Sequence, residues 1–275
     1  MPVRRDPPDW EQLVRRVAAE ATQVDGHAPV NEAALLGLEH HGLTDTTVYA
    51  DDEGFALVHD GALHLVVAPH ARRQGRGTRL LEAAEGVTTA WSHGDHPAAR
   101  ALAASHGFER VRELWLMRRP AGPVAPSPTD VTIRSFVPGD EEAFLAANAA
   151  AFADHPEQGS LSREDLRHRM AEPWFDPAGF FLAEEAGELL GYHWTKIHPD
   201  GTGEVYVVGV TPAAQGRGLG RALVVHGLDH LQPRDVVLYV ESENTAAIAL
   251  YQSLGFEHVA SDAQYRKWTS ARYGS

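Results

Sequence analysis

The spacing of apolar positions predicts two successive sets of strands and helices. In the first set, apolar residues at helical spacing mark segments near the start, and the short apolar or alternating runs that follow are typical of strands. The pattern of this first set predicts helices at residues 10–21, 31–38 and 97–105 and strands at 46–50, 54–59, 62–67, 87–91 and 114–118. It also predicts a glycine turn that enters a further helix near residue 79. Asn31 is a good N-cap for the second helix.

The second set follows a proline-rich stretch and repeats the order of the first. Its apolar pattern predicts strands at residues 131–136, 179–184, 189–196, 204–210, 236–240 and 263–268. It also predicts helices at 141–152, 161–170, from 219 onward, and at 245–254. Residues 120–128 carry four prolines in nine positions, which suits a linker with polyproline character.

The two sets form an internal repeat. Gly75 aligns with Gly218 at an offset of 143 residues, and the same offset pairs Pro69 with Pro212. A Gly-Phe pair ending at Phe108 matches a later one after a slippage of about five residues, and so many ordered matches are unlikely by chance. We therefore expect domains at residues 1–122 and 130–275, joined by a linker at 123–129.

Residues 205–225 carry the strongest signal for a site. A β-branched run ends at Thr211-Pro212, and three glycines (Gly216, Gly218 and Gly220) then lead into an apolar helical pattern. A glycine turn at a helix N-terminus presents unpaired N–H groups and the positive end of the helix dipole, which together bind phosphate. The spacing matches neither the dinucleotide fingerprint nor the P-loop.

Composition indicates a soluble globular protein of two domains. The chain has 275 residues, 43% hydrophobic and 23% charged, and a formal net charge of −14 that disfavours nucleic acid and anionic membranes as partners. The absence of cysteine excludes a thiolate nucleophile, and His226 and His230 lack the further ligands of a metal site. We expect a cytoplasmic monomer that acts on a small molecule without a metal.

The second half resembles the GNAT superfamily of acyl-CoA-dependent N-acetyltransferases. The motif residues are Gln215, Gly218 and Gly220 after a strand, then Asn244, Ala247, Leu250-Tyr251 and Gly255-Phe256. The resemblance implies an α/β fold in which two GNAT domains stand in tandem, each a splayed mixed sheet flanked by helices. It also implies that the pyrophosphate of acetyl-CoA binds the amides of the glycine turn.

The whole chain is more similar still to one family within that superfamily, the mycothiol synthases. The motifs that carry this similarity are His27-Ala-Pro-Val-Asn-Glu32, residues 111–120, Phe152-Ala-Asp-His-Pro-Glu-Gln-Gly159, Trp174-Phe-Asp-Pro177, residues 191–200 and Leu238-Tyr-Val-Glu-Ser-Glu-Asn244. The similarity implies transfer of acetyl from acetyl-CoA to the cysteinyl amine of a cysteinyl-glucosaminyl-inositol.

Acetyl transfer to an amine needs a proton acceptor, a donor for the thioester carbonyl and a proton for the leaving thiolate. Glu204 opens the central strand and is the expected base, acting directly or through water; its alternative is a solvent-facing strand end. The N–H of Val210 is the expected carbonyl donor if a bulge frees it. Tyr251 is the expected acid, and the alternative is a half-buried helix aromatic.

The remaining expected contacts divide between cofactor and acceptor. For acetyl-CoA they are Val208, Gly209, Val210, Gln215, Gly216, Arg217, Gly218, Leu219, Gly220, Arg221, Asn244, Thr245, Ala246, Ala247, Ile248 and Ala249 in the second half, with Leu65, Val66, Val67, Arg73, Gln74, Gly75, Arg76, Gly77 and Thr78 in the first. For the acceptor the resemblance implies Glu32, Glu157, Lys196, Glu204 and Tyr239, although plain surface charges and a core aromatic are the alternatives. A role for Glu32 requires the halves to share a cleft.

The repeat provides an internal control. At the repeat offsets Glu204 aligns with Gly61, Tyr251 with Ala103 and Asn244 with His96. The first half therefore lacks the expected base and acid, and we expect it to be catalytically silent while still able to bind acetyl-CoA. Two other functions stay open: acetylation of another small amine, such as an aminoglycoside or a polyamine, and a non-catalytic acyl-CoA-binding module.

Overall fold

A computed structural model describes residues 2–31, 34–35, 37–38, 42–153 and 158–268. The chain divides into two compact units. Unit 1 comprises Met1–Trp115, Glu241–Glu243 and Ala260–Ser275, and unit 2 comprises Leu116–Val240 and Asn244–Val259. Within the described part of the chain, no helix combines the length and apolar character needed to cross a membrane.

Unit 1 is a mixed sheet with helices packed on it. Its elements are β1 (Arg4–Arg5), α1 (Trp10–Asp25), β2 (Thr46–Asp51), β3 (Gly54–His59), β4 (Ala62–Val67), α2 (Arg76–Ala83), β5 (Thr89–Ser92), α3 (Pro97–Ser105) and the start of β6 (Phe108–Arg119). Strands β1 to β4 pair antiparallel in order, and β4 pairs parallel with β5. Helix α1 ends at Gly26 in the left-handed conformation and buries Leu13 and Val17 against the sheet.

Unit 2 repeats this plan. Its elements are β7 (Thr132–Ser135), α4 (Glu141–Ala151), α5 (Arg163–Ala171), β8 (Phe180–Glu185), β9 (Glu188–Ile197), β10 (Gly203–Val210), α6 (Leu219–His230), β11 (Val236–Glu241), α7 (Thr245–Ser253) and the start of β12 (Glu257–Lys267). Strands β7 to β10 pair antiparallel in order, and β10 pairs parallel with β11. The predicted fold class is confirmed.

The last strand of each half is longer than its apolar pattern indicates. Both β6 and β12 begin six residues before the predicted start, because their first six residues are mostly polar or charged and contain no apolar run. Residues 260–267 of β12 belong to unit 1, where Ala263 pairs with Ser92 of β5. The contiguous domains expected at residues 1–122 and 130–275 stay a prediction, whereas the compact units are discontinuous in sequence.

Residues 120–131 form neither helix nor strand, in keeping with a linker. Arg119 anchors their start, since its guanidinium donates to the carbonyl oxygens of Gly122 and Pro123 at 3.1 and 2.7 Å and to that of Leu254 at 2.8 Å. The expected helix at residues 31–38 lies partly outside the described residues. Asn31 nevertheless caps it as predicted, because its Oδ1 accepts from the N–H of Ala34 at 2.9 Å.

Candidate active site

Strands β10 and β11 of unit 2 separate soon after they begin. They pair only at Gly203 with Val236 and at Glu204 with Val237, so the remaining residues of β10 border a gap. A β-bulge interrupts β10 between Val205 and Val207. This is the splayed geometry that the resemblance implied, with Glu204 at the last paired position.

The bulge determines which backbone amides face the gap. The N–H of Gly203 donates to the carbonyl of Asp235, on the β11 side, while the N–H of Thr211 donates to Leu190 of β9, each at 2.9 Å. Residues eight apart in a regular strand point their N–H groups to the same side, so the bulge has reversed the alternation. By the same alternation the amides of Val208 and Val210 face the gap. Val210 is thus freed by a bulge four residues earlier in the chain.

The glycine turn of unit 2 has the conformation that its sequence requires. Gly216 and Gly218 adopt φ of 77° and 78°, the left-handed region, and Gly218 caps the N-terminus of α6. The first amides of α6 therefore lack helical partners and suit a pyrophosphate. Arg217 forms two contacts with Glu185 at 2.7 and 3.0 Å, and Arg221 donates to Ser253 Oγ at 2.7 Å, so both guanidiniums are held beside this turn.

Glu204 is a buried carboxylate with a histidine partner. Its side chain is 10% exposed, and Oε2 lies 2.7 Å from Nε2 of His198, whose side chain is 34% exposed. His198 follows β9 directly, and the hairpin that returns the chain to β10 brings the two side chains together. The plain strand-end interpretation of Glu204, a solvent-facing carboxylate, is therefore excluded.

Lys196 lies directly opposite Glu204 in the β9–β10 register, so their side chains share one face of the sheet. Its Nζ is 4.5 Å from the ring centre of Trp174 and 5.3 Å from that of Tyr206. Such contacts stabilise a desolvated cation, and the lysine is only 7% exposed. A buried cation and a buried carboxylate thus lie side by side where β10 leaves β11.

Helix α7 carries the two other motif residues. Asn244 caps it, because its Oδ1 accepts from the N–H of Ala247 at 3.1 Å. Tyr251 is buried edge-on against Phe256, and burial raises the pKa of its phenol to about 12. The phenol therefore stays protonated at neutral pH and can donate its hydrogen. Among the described residues its hydroxyl has no hydrogen-bond partner.

The other expected acceptor contacts are distributed unevenly. Tyr239 of β11 is half exposed, which excludes its interpretation as a core aromatic. Glu32 and Glu157 lie outside the described residues. His226 and His230 pack edge-on against Phe181, with ring centres 4.6 and 5.5 Å away.

Unit 1 has a cavity at the equivalent place. It measures about 290 Å³ and is lined by residues from the expected cofactor set, with further walls from β5 and α3; the cofactor-set residues are Leu65, Val66, Val67, Arg73, Gly75, Arg76, Gly77 and Thr78. Gly75 caps α2 in the left-handed conformation, as Gly218 caps α6. Arg73 has φ of 59°, so a non-glycine residue is in the conformation of Gly216.

The two units share a side-chain cap on the equivalent helix but differ at the position of the expected catalytic base. His96 caps α3 by accepting from the N–H of Ala98 at 3.1 Å, the role that Asn244 has on α7. The bulge has no counterpart in the regular β3–β4 pairing, so it shifts the alignment by one residue before Val205. Ala62 pairs with His59 of β3 as Glu204 pairs with Lys196 of β9, and Glu204 therefore corresponds to Ala62 instead of Gly61. The unit 1 position still lacks a carboxylate.

Sequence reasoning assigned no role to three residues of the site: His198, Trp174 and Tyr206. Two of them lie in the motifs that carried the family resemblance, and Tyr206 lies in the central strand. A signal was available for two of them, since His198 lies two residues after Lys196 and Tyr206 two residues after Glu204. What they contact depends on the hairpin register, which short-range patterns do not reveal.

Comparison with known proteins assigns the class first. The pattern of the acetyltransferase (GNAT) family matches residues 147–256. Together with the splayed strands and the glycine turn, this match defines an acyltransferase of the GNAT class. The chain is 50% identical to a mycothiol acetyltransferase of Nocardioides sp. over 94% of its length and 98% of the relative's. It is also 50% identical to one of Thermobispora bispora, over 96% and 98%. The chain belongs to the mycothiol acetyltransferase family.

Solved structures agree on the fold. A GCN5-related N-acetyltransferase from Sphaerobacter thermophilus superposes with a TM-score of 0.70 at 24% identity, covering 96% of this chain and 94% of that one. A tandem GNAT protein from the clavulanic acid biosynthesis pathway gives 0.68 at 18% identity, covering 96% and 97%. At these identities the similarity is one of fold, and it confirms the tandem architecture expected from the repeat.

Proposed function

We propose that this enzyme transfers acetyl from acetyl-CoA to the cysteinyl amine of cysteinyl-glucosaminyl-inositol, the last step of mycothiol formation. The observation that carries the proposal is the buried Glu204, which lies opposite Lys196 at the point where β10 leaves β11. The names of the full-length relatives supply the acceptor. A half-exposed tyrosine on β11, Tyr239, adds a hydrogen-bonding surface suited to a polyhydroxylated acceptor.

The chain's own residues supply the proton and electrostatic chemistry. Acetyl-CoA, when bound, supplies the activated acyl group as a thioester. The amides of Val208 and Val210 face the gap, which supports a role as donors to the thioester carbonyl. Glu204 removes one proton from the acceptor ammonium, so that the neutral amine attacks the thioester carbonyl and forms the carbon–nitrogen bond. As the carbon–sulfur bond breaks, the nitrogen loses a second proton, which restores the phenol of Tyr251. Tyr251 donates its phenolic hydrogen toward the leaving sulfur.

Unit 1 retains the cofactor-binding features without the base. Its cavity, its glycine turn and its left-handed Gly75 support binding of acetyl-CoA. Ala62 stands at the position of Glu204, and Ala103, which lines the cavity, stands at that of Tyr251. We therefore propose that the N-terminal half binds acetyl-CoA and catalyses nothing.

A panel of acceptors tests the proposed function. The full-length enzyme is incubated with acetyl-CoA and cysteinyl-glucosaminyl-inositol, an aminoglycoside, a polyamine or no amine, and coenzyme A is quantified by chromatography. Thiol reagents are unsuitable, since the expected acceptor carries a thiol of its own. The proposal predicts the largest kcat/KM for the cysteinyl acceptor. A preference for another amine would assign a different substrate, and no release with any amine would favour a binding module.

A further inference from the structure

We propose that His198 is a proton relay that carries the acceptor's proton from Glu204 to solvent. This inference rests on the proposed function, because the proton in question is the one that the amine loses on acetylation. Glu204 is nine-tenths buried, while the imidazole on its Oε2 is one-third exposed. The histidine is therefore a direct connection from the buried base to water.

The hairpin between β9 and β10 holds the relay in place. The N–H of His198 donates to the carbonyl of Thr202 at 2.8 Å, and the carbonyl of His198 accepts from the N–H of Gly201 at 2.9 Å. These two bonds close the turn immediately before Gly203 and Glu204. Both residues of the pair are thus fixed to the same two-stranded element, which keeps the 2.7 Å contact without a long flexible connection.

The proton path balances at each atom. The ammonium of the acceptor gives a proton to the Glu204 carboxylate, directly or through water, and becomes the nucleophile. The resulting carboxylic acid passes the proton to Nε2 of a neutral His198, which restores the carboxylate and forms an imidazolium. The imidazolium then releases a proton from Nδ1 to water, and exchange with water moves the remaining proton from Nε2 back to Nδ1 before the next cycle. One proton leaves the site per acetyl transferred, and no further reactant is needed.

Two carboxylates and one cation lie near the relay. Glu204 contacts it directly, and Asp200 occupies the same turn. Hydrogen bonds from Thr202 hold the pKa of Asp200 below its usual value, and the nearby histidine contributes in the same direction. The cation on the same sheet face, Lys196, is held by the rings of Trp174 and Tyr206. Two carboxylates thus lie close to the imidazole, and the Lys196 ammonium contacts two aromatic rings.

Two variants separate a relay from a residue that only orients Glu204. In His198→Gln the side-chain amide reaches the position of Nε2 and can donate to the carboxylate, yet it cannot carry a proton. In His198→Ala both abilities are lost, and a space remains for a small base. His59→Gln is the matched control, since His59 is also exposed, ends a strand and lies 3.8 Å from a carboxylate, that of Asp60.

The experiment measures kcat/KM for the cysteinyl acceptor between pH 6 and pH 9, with and without imidazole. The relay predicts that both His198 variants lose about 10- to 100-fold, that the loss shrinks toward pH 9, where the acceptor amine is already mostly neutral, and that imidazole restores the alanine variant alone. Near-normal rates for the glutamine variant would reduce His198 to a positioning residue and overturn the relay. Loss in both variants without rescue by imidazole would overturn it as well.

The rate of the wild-type enzyme shows whether only the relay fails or whether the proposed function fails as well. Wild-type enzyme active on the cysteinyl acceptor, with His198 variants that equal the His59→Gln control, defeats only the relay. Wild-type enzyme active on a different amine defeats the proposed acceptor, and the same variants then test the relay with that amine. An enzyme inactive on every amine would overturn both.

Discussion

Replacing Glu204 by glutamine tests the base with little change in shape. Glutamine keeps the size of the side chain and can still contact His198, so the fold should be preserved. The change removes a negative charge beside the acceptor ammonium. At about 4 Å and an effective dielectric constant of about 20, that attraction is about 4 kcal/mol, or roughly a thousandfold in rate constant. Loss of a general base typically lowers a rate by about 10²- to 10⁴-fold, a range that includes the thousandfold loss expected from the charge.

The pH dependence makes the test specific. An α-amine of ordinary pKa, about 7.7 to 8.0, is mostly ammonium below pH 7 and mostly neutral at pH 9. We therefore expect the loss in kcat/KM for Glu204→Gln to be about a thousandfold at pH 6.5 and to shrink as the pH rises. Coenzyme A formation is measured by chromatography, with Glu188→Gln, an exposed carboxylate at the start of β9, as control. A loss that stays the same from pH 6.5 to pH 9 would refute the role of Glu204 as base.

Three further predictions follow from the contacts in unit 2. Tyr251→Phe should lower kcat about 100-fold while leaving the thermal midpoint nearly unchanged, because its hydroxyl has no hydrogen-bond partner among the described residues. Lys196→Met should raise KM for the acceptor about tenfold with a smaller effect on kcat, since methionine fills the space between Trp174 and Tyr206 without the charge. Burial lowers the pKa of His193 to about 4, so as the pH falls the unfolded chain binds a proton at this histidine before the folded chain does. The contribution of neutral His193 to the free energy of unfolding is therefore fully present above pH 6.5 and is lost as the pH falls toward 4. The loss of unfolding free energy between pH 6.5 and pH 5, measured with urea, should be about 1.6 kcal/mol smaller in His193→Gln than in wild type, and the buried His64, whose pKa is lowered to about 3, should still contribute in both proteins.

Local signals in the sequence predicted much of the fold. The β-branched run before Thr211-Pro212, the alternate glycines and the Asn244 cap each describe a short segment whose conformation depends on its own residues. The strands and helices around them therefore lie within a few residues of their predicted bounds. The repeat extended this success to unit 1, because the same signals recur there at a fixed offset.

The bulge in β10 could not be predicted in the same way. Val205-Tyr-Val-Val208 is a uniform apolar run with neither glycine nor proline, so no local signal marks an extra residue. Its effect on the site is large, since it reverses which amides face the gap and shifts the equivalent of Glu204 from Gly61 to Ala62. The contact between His198 and Glu204 was missed for a related reason: it depends on a hairpin register that only the folded pairing determines.

The sequence also did not show which residues belong to which compact unit. The last strand of the chain, β12, starts in unit 2 and ends in unit 1, where residues 263–266 pair with β5. A proline-rich linker is a good sign of a boundary in the sequence, yet it does not show that a strand from one half completes the sheet of the other. Pairing between residues about 170 positions apart, such as Ala263 with Ser92, leaves no mark in short windows.

A matched pair of glycine variants tests most directly that unit 2 is the catalytic half. Gly218→Asp and Gly75→Asp place a carboxylate at equivalent helix N-termini, where it repels a pyrophosphate, and aspartate tolerates the left-handed conformation better than most residues. The measurement is kcat/KM for acetyl-CoA with the cysteinyl acceptor at saturation. We predict a loss of about a hundredfold or more for Gly218→Asp, with the Gly75→Asp rate within about twofold of wild type. If Gly218→Asp left kcat/KM unchanged and Gly75→Asp lowered it a hundredfold, unit 2 would not be the catalytic half.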